Sequence, residues 1–270
     1  NYNFQVNFIH EKKGHYRLSS PCGVAFTSQG MLCVADSGQS RVLRLRTDGA
    51  LVDIMCRPGK GPGLCSYPYS LCPFQDSLFV VDPMQGVVQR LTNKGMLDYY
   101  LHANLSQEVL LPDENSTIQW DQLGKWQDGR TFGTKKRFAY PNGATVGPSL
   151  GGGDKRLFVA DSQNNIIRAF DVNDGKSLGA FGGIGSGPLQ FNHPTSVSMP
   201  RDGVLVVGDY KNKRLQALQI SQVVRNIGSV DGVQTVGGMS VVPGTDTFWV
   251  CDRENSTLLL LRVQAHTEIG

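Results

Sequence analysis

Five aspartates recur along the chain, each at the end of a short apolar run. They are Asp36, Asp82, Asp161, Asp209 and Asp252, and the intervals between them are 46, 79, 48 and 43 residues. Carboxylates can act as general acids or bases, or hold a metal ion, but this chemistry needs several groups in one place. A carboxylate present in nearly every copy of a repeated unit is instead predicted to bond the backbone of its own turn.

The runs that end in these aspartates are copies of one short sequence pattern. The copies are residues 32–36, 78–82, 157–161, 205–209 and 248–252. Self-similarity at this period indicates stacked or radially arranged units. The interval of 79 residues between Asp82 and Asp161 is nearly twice the others. It contains residues 109–118, which resemble 252–258 and are predicted to be a sixth, degraded copy. Six copies give 45 residues a unit, which suits the ~40–50 residues of a propeller blade. Five units with a large insertion are the alternative.

Each unit is predicted to be β-structure. The apolar runs are short, rich in β-branched and aromatic residues, and bounded by Gly, Asp, Asn or Pro. Turn signals such as Asp48-Gly49 and Asp174-Gly175 stand where hairpins need them. The prediction is an all-β fold, a six-bladed β-propeller of four-stranded antiparallel blades (strands a to d), forming one domain over residues 1–270. Residues 4–9 are predicted to pair with the C-terminal strands and close the ring.

Two of the copies resemble the NHL-repeat family. They are residues 161–168, followed by Phe181-Gly182-Gly183 and Pro194, and residues 209–216. The resemblance covers most of the chain and is weak between about 97 and 140, where the blade is divergent. It implies a six-bladed propeller of NHL type, as in TRIM-NHL and Brat-like proteins. As a class these propellers bind proteins or single-stranded RNA. The resemblance therefore implies a particular fold but does not specify the ligand.

A propeller enzyme would be expected to carry metal-binding side chains on the strands that line its central channel. Metal-dependent propeller enzymes of the lactonase and lyase types hold their metal near these strands. Here the inner strands contain no Asp, Glu or His, although a metal site needs several such ligands. His193 precedes a proline and is predicted to cap or pack rather than to bind a metal. The prediction is that the protein is not an enzyme and has no catalytic residue, metal or cofactor.

The remaining candidate is a surface made of loops. In an up-and-down blade the b–c turns and d–a loops share one face, and here they carry cations and aromatic rings. The predicted partner-binding residues are Arg57, Lys60, Tyr67, Tyr69, Lys135, Lys136, Arg137, Phe138, Tyr140, Tyr210, Lys211, Lys213 and Arg214. Cations that follow phosphates and rings that stack on bases are typical of single-stranded nucleic acid binding. The same rings and arginines can also anchor a protein partner.

The predicted function is a non-catalytic recognition or scaffold module that binds a protein partner through this loop face. Single-stranded RNA binding is the first alternative, and a lactonase-type or lyase-type propeller enzyme is the second. The net charge of +3 is too small to argue for a polyanionic partner, and no apolar run is long enough for a membrane span. Cys56 and Cys65 flank a loop that a disulfide would close in a secreted protein. A cytoplasmic location is predicted, with an extracellular one as the alternative.

Overall fold

The computed structural model describes residues 16–101, 109–110, 117–119, 138–147, 155–221, 223–242 and 244–263. Within these ranges the strands form five sheets, each built from successive antiparallel hairpins. Such up-and-down sheets arranged around a common centre define a β-propeller. No helix in the described ranges is long and apolar enough to span a bilayer.

The first two blades follow directly along the chain. Blade I contains β1 (Pro21–Phe26), β2 (Leu32–Asp36), β3 (Arg41–Leu45) and β4 (Leu51–Pro58), with the short β5 (Leu64–Cys65) parallel to β4. Blade II contains β6 (Ser70–Phe74), β7 (Ser77–Asp82), β8 (Val87–Thr92) and β9 (Leu97–Leu101). The first strand of each blade is the innermost, because it contacts the first strand of the neighbouring blade.

Two short strands, β10 (Val109–Leu110) and β11 (Thr117–Gln119), separate these blades from the next three. Blade III contains β12 (Pro141–Gly147), β13 (Arg156–Asp161), β14 (Ile166–Asp171) and β15 (Ser177–Gly182). Blade IV contains β16 (Pro194–Arg201), β17 (Val204–Asp209), β18 (Arg214–Ile220) and β19 (Val223–Asp231). Blade V contains β20 (Val236–Val241), β21 (Thr247–Asp252) and β22 (Thr257–Arg262).

The prediction of six blades is wrong, because the described residues form five. Of residues 109–118, predicted to be a sixth copy, the described parts 109–110 and 117–118 do not form a blade of their own. Instead β10 pairs with β15 at the outer edge of blade III, and β11 pairs with β19 at the outer edge of blade IV. Paired segments of two and three residues are too short for a blade strand, but they satisfy the backbone groups of an open sheet edge. The predicted closing strand at residues 4–9 lies outside the described residues.

Alternating side chains along the second strand of each blade form the cores between blades. In blade III, Phe158 and Ala160 pack toward blade IV, whereas Leu157 and Val159 pack toward blade II. This is the period-two pattern of a strand that is buried on both faces. Buried clusters of this kind fill the junctions I–II, II–III, III–IV and IV–V. The repeats therefore fold as one body rather than as independent units.

The face of blade V that points away from blade IV is more exposed than the matching face of blade III. Trp249 stands where blade III has Phe158, yet it is 38% exposed, and Phe158 is fully buried. Its cross-strand partner Leu260 is 54% exposed. On the opposite side of the V–I junction, Val24 of blade I is 69% exposed. Among the described residues, the V–I junction therefore lacks the buried core that the other four junctions have.

Replacing neighbouring leucines of β22 measures this asymmetry. Leu259 packs on the core between blades IV and V, and Leu260 points to the exposed face. We expect Leu259→Ala to reduce the free energy of unfolding by about 1–3 kcal/mol, because it removes partly buried methyl groups that pack on this core. Leu260→Ala should change it by less than about 0.5 kcal/mol. Chemical denaturation of both variants measures the difference, and equal losses would show that the V–I junction is packed in solution.

A disulfide closes the loop between blades I and II. Cys56 and Cys65 are bonded, with their Cα atoms 5.9 Å apart, whereas Cys22, Cys33, Cys72 and Cys251 are free thiols. Burial raises the pKa of the Cys33 thiol to about 11 and that of the Cys72 thiol to about 12, so both stay protonated and act as small apolar groups. The disulfide predicted as possible from the positions of Cys56 and Cys65 is therefore present.

Candidate functional site

The five inner strands present their N-terminal ends on the same face as the b–c turns. Pro21, Pro141 and Pro194 begin inner strands and lie opposite the aspartates that end the neighbouring second strands. The residues at and just before these N-terminal ends therefore surround one end of the central channel. This region, with the b–c turns that overhang it, is called the channel mouth below.

The repeated aspartates hold the loops that enter the channel mouth. The backbone N–H of Ser19 donates to Asp36 at 2.6 Å, that of Ala139 donates to Asp161 at 2.7 Å, and that of Asn192 donates to Asp209 at 2.7 Å. In these three blades the next residue is the one that precedes the inner-strand proline. The predicted bond to the aspartate's own turn backbone occurs at Asp82 and at Asp252. Each of the five aspartates also accepts a backbone N–H from the loop that enters the channel mouth.

Three residues before inner-strand prolines have left-handed backbone conformations. The φ angles are 51° at Ser20, 62° at Tyr140 and 55° at His193. Such values are uncommon outside glycine, and strained backbone concentrates at functional sites, where the surroundings hold it in place. A β-bulge follows each of the three positions at the start of the inner strand, and bulges redirect side chains. The fold thus fixes the direction of the side chains at the channel mouth.

His193 is held from two blades. Its backbone N–H donates to the Asn165 side chain of blade III at 2.8 Å, and its carbonyl accepts the N–H of Tyr210 in blade IV at 3.3 Å. Its Nδ1 atom is buried and has no hydrogen-bond partner within the described part of the chain. Burial, with the nearby Lys211 cation adding to it, lowers the pKa of His193 below its ordinary 6.5. The imidazole is therefore neutral at pH 7 and able to accept a proton.

A second group of titratable side chains lies on the blade I and II side of the mouth. The rings of Tyr67 and Tyr69 stack with centroids 6.5 Å apart, and the thiol of Cys22 lies 4.0 Å from the Tyr67 hydroxyl. Proximity to Cys22 raises the pKa of Tyr67. Burial, and then Cys22, raise the pKa of Tyr69, while Arg253 opposes the rise. Both phenols therefore remain protonated at pH 7 and can donate hydrogen bonds.

The structure brings some of the predicted partner-binding residues together at the mouth. Tyr67 and Tyr69 stack there, and Tyr140, 40% exposed, precedes the inner strand of blade III. Lys211 lies beside His193 and is exposed. Tyr210 and Lys213 belong to the b–c turn of blade IV on the same face, and Lys60 lies in the loop that follows β4. The mouth thus collects phenols and cations from blades that are distant in sequence.

Other predicted residues serve the fold or lie elsewhere. Phe138 is buried between blades II and III, where its ring packs against Phe170 at 5.8 Å and lies under the Arg168 guanidinium. Arg214 is bound by Asp209 and by the carbonyls of residues 186, 187 and 190. Arg57 is exposed at the outer strand of blade I. Lys135, Lys136 and Arg137 lie outside the described residues.

No cluster of three or more His, Cys, Asp or Glu side chains that could hold a metal ion occurs in the described ranges. The aspartates closest to the mouth are occupied by N–H donors of the incoming loops. The titratable groups that remain available there are an imidazole, phenols, a thiol and cations. This set is suited to moving protons and to stabilising negative charge.

Comparison with known proteins defines the class as a β-propeller. No model of a protein family matches the chain, and neither does any curated protein. A catalytically inactive histidine-to-alanine variant of virginiamycin B lyase from Staphylococcus aureus, solved with quinupristin, matches with a TM-score of 0.60 and 16% identity over 91% of this chain and 67% of that chain. A proposed 6-phosphogluconolactonase from Bacteroides uniformis matches with a TM-score of 0.61 and 11% identity over 94% of this chain and 71% of that chain.

These matches correct the prediction that the protein is not an enzyme, because both propellers are named as enzymes. The identities are low and show the fold alone, so the chemistry has to come from the site itself. The prediction considered side chains within the inner strands, whereas the mouth is lined by the residue just before each strand. His193, Tyr140 and Ser20 share that position, and their place before a proline was the available signal.

Proposed function

We propose that this propeller is an enzyme that cleaves an ester carbon–oxygen bond of a small molecule at the channel mouth, in the manner of a lyase or a lactonase. The observation that carries the proposal is His193, a neutral imidazole whose backbone is fixed from two blades. The two similar propellers are a lyase and a proposed lactonase, and in the lyase a histidine-to-alanine variant is inactive. Within the described part of this chain, His193 is the one histidine.

His193 is the general base in this proposal. In a hydrolysis the imidazole takes a proton from water, the water oxygen attacks the carbonyl carbon, and the carbon–oxygen bond breaks as the imidazolium returns the proton to the departing oxygen. In an elimination the imidazole takes a proton from carbon, a carbon–carbon double bond forms, and the carboxylate leaves. A base that is neutral near pH 7 suits either step, and such proton transfer contributes typically 10²–10⁴-fold to rate.

The phenols stabilise the charge that develops on oxygen. Tyr69 remains protonated because burial raises its pKa, so its hydroxyl is a hydrogen-bond donor in a partly desolvated position. Tyr140 occupies the same position in blade III as His193 does in blade IV, directly before the inner strand. Donors aimed at a developing oxyanion contribute most when the protein holds them in place beforehand. The repeated aspartates do this by bonding the incoming loops.

Turnover of a small panel of cyclic esters tests the proposal. Purified protein is incubated with dihydrocoumarin, 6-phosphogluconolactone and quinupristin in water enriched in ¹⁸O, and products are analysed by mass spectrometry. We expect at least one substrate to be converted faster than by His193→Asn protein prepared in parallel. One ¹⁸O atom in the new carboxylate, with the mass of one water added, indicates hydrolysis, whereas an unlabelled ring-opened isomer with the mass of the substrate indicates elimination. Equal rates for both proteins on all three substrates would reject the enzyme assignment.

Several narrower predictions remain proposals. An NHL-type propeller is supported by blade IV, where Asn212 and Arg214, both within the NHL-like residues 209–216, donate to Asp209. A protein partner and a single-stranded RNA partner at the loop face stay predictions. A cytoplasmic location also stays a prediction, and the Cys56–Cys65 disulfide supports the extracellular alternative, because disulfides persist in oxidising compartments.

A further inference from the structure

Arg253 is an exposed arginine in the turn that follows the second strand of blade V. Within the described residues its guanidinium forms no hydrogen bond or ion pair, and its backbone N–H donates to the Thr235 carbonyl at 2.9 Å. Six other described arginines are paired with carboxylates, namely Arg41, Arg44, Arg46, Arg90, Arg168 and Arg214. An exposed, uncommitted guanidinium retains its full capacity for a bidentate contact with an oxyanion.

The fold directs this side chain over the inner strand of blade V. Gly237 lies beneath it, and a Cβ atom built at that glycine would stand 2.6 Å from the Arg253 Cδ atom. A larger residue at position 237 would therefore displace the stem. In this orientation the positive charge reaches the environment of Tyr69, whose pKa it lowers against the effects of burial and Cys22. Tyr69 belongs to blade II and Arg253 to blade V, so the interaction spans the mouth.

Both cations and one acidic residue are exposed around the mouth. Lys211 is a second exposed cation, next to His193. The nearby carboxylates Asp36, Asp209 and Asp252 are buried and accept N–H bonds from the incoming loops. Glu254 follows Arg253 and is exposed. An arginine on blade V and stacked phenol rings on blade II offer a charged contact and flat apolar surfaces to one ligand at the mouth.

We infer that the ligand of the channel mouth carries an anionic oxygen group, a carboxylate or a phosphate, which Arg253 binds while the Tyr67 and Tyr69 rings pack against its body. The inference rests on the proposed function, since it names the class of molecule that the same site takes. The anion anchors one end of the ligand, and the remainder extends over the mouth toward His193. Arg253 is in this reading a substrate-binding residue and not a proton carrier.

Equilibrium binding of three aromatic probes tests the inference without any need for turnover. Phenyl phosphate, benzoate and the uncharged benzamide are titrated into the protein by isothermal calorimetry at low and at physiological salt. We expect Arg253→Gln to weaken phenyl phosphate and benzoate about ten- to hundredfold, since it removes a charged hydrogen-bond partner, and to leave benzamide unchanged. Arg262→Gln, at the opposite end of blade V, is the matched control and should bind all three probes as the wild type does.

Phenyl phosphate and benzoate that bind no tighter than benzamide, or equally well to Arg253→Gln, would overturn the anion site. The outcome is separable from that of the proposed function. Anion binding that depends on Arg253 in a protein that converts no ester would retain this site and reject the enzyme. Turnover of dihydrocoumarin that depends on His193, without any Arg253-dependent binding, would retain the enzyme and reject the anion site.

Discussion

Replacing His193 with asparagine is expected to lower kcat/KM by about 10²–10⁴-fold, because a positioned general base contributes this much. Asparagine is the suitable replacement, since it tolerates the left-handed backbone conformation (φ 55°) that this position requires. An unchanged melting temperature then shows that the loop remains folded. Steady-state kinetics on the substrate found in the panel measures the loss, and an activity within about threefold of the wild type would contradict the role as base.

The pH profile gives a second readout for His193. The base must be neutral, so kcat/KM should fall on the acid side with a midpoint below the ordinary histidine pKa of 6.5. Burial lowers the pKa first, and the Lys211 cation lowers it further. Removing that cation by Lys211→Gln should therefore shift the acid limb to higher pH. A limb that does not move in this variant would assign the titration to another group.

Replacing Arg168 with leucine is expected to reduce the free energy of unfolding by about 3–5 kcal/mol, because it leaves a buried carboxylate without its cation. The Arg168 Nε atom lies 2.6 Å from Asp161, and both side chains are almost completely buried. Arg46→Leu is the control, since the Arg46–Asp48 pair is exposed and its atoms are 3.5 Å apart. We expect that control to lose at most about 1 kcal/mol. Chemical denaturation measures both, and similar losses would contradict the assignment of a buried pair.

The loss at Arg168 should depend on pH with a defined sign. Burial already raises the pKa of Asp161 above 3.8, while Arg168 lowers it. Without the arginine the pKa of the folded state rises further, so the folded protein holds the proton more strongly than the unfolded chain does. A raised carboxyl pKa makes folding more favourable as pH falls. The destabilisation caused by Arg168→Leu should therefore be smaller near pH 4.5 than at pH 7.5.

The strands of this propeller could be predicted from the sequence because their signals are local. A period-two apolar run and an adjacent turn residue lie within ten residues of each other, and so do the aspartate and the arginine or asparagine that bonds it. Asp209 with Asn212 and Arg214 is an example. The number of blades depends instead on whether a weak run pairs with its own neighbours or with a distant edge. For residues 109–110 and 117–119 the edges of blades III and IV provided the partners.

The sequence by itself determined an all-β propeller built from repeats, with an aspartate at each turn and a cysteine pair able to close one loop. Only the tertiary structure decided the blade count and the composition of the channel mouth. Tyr69 and Arg253 are 184 positions apart in the chain, yet their interaction spans the mouth. His193 acquires its lowered pKa from burial and from a cation on another turn. Burial and distance between blades are properties of the closed packing of sheets, so no local pattern carries them.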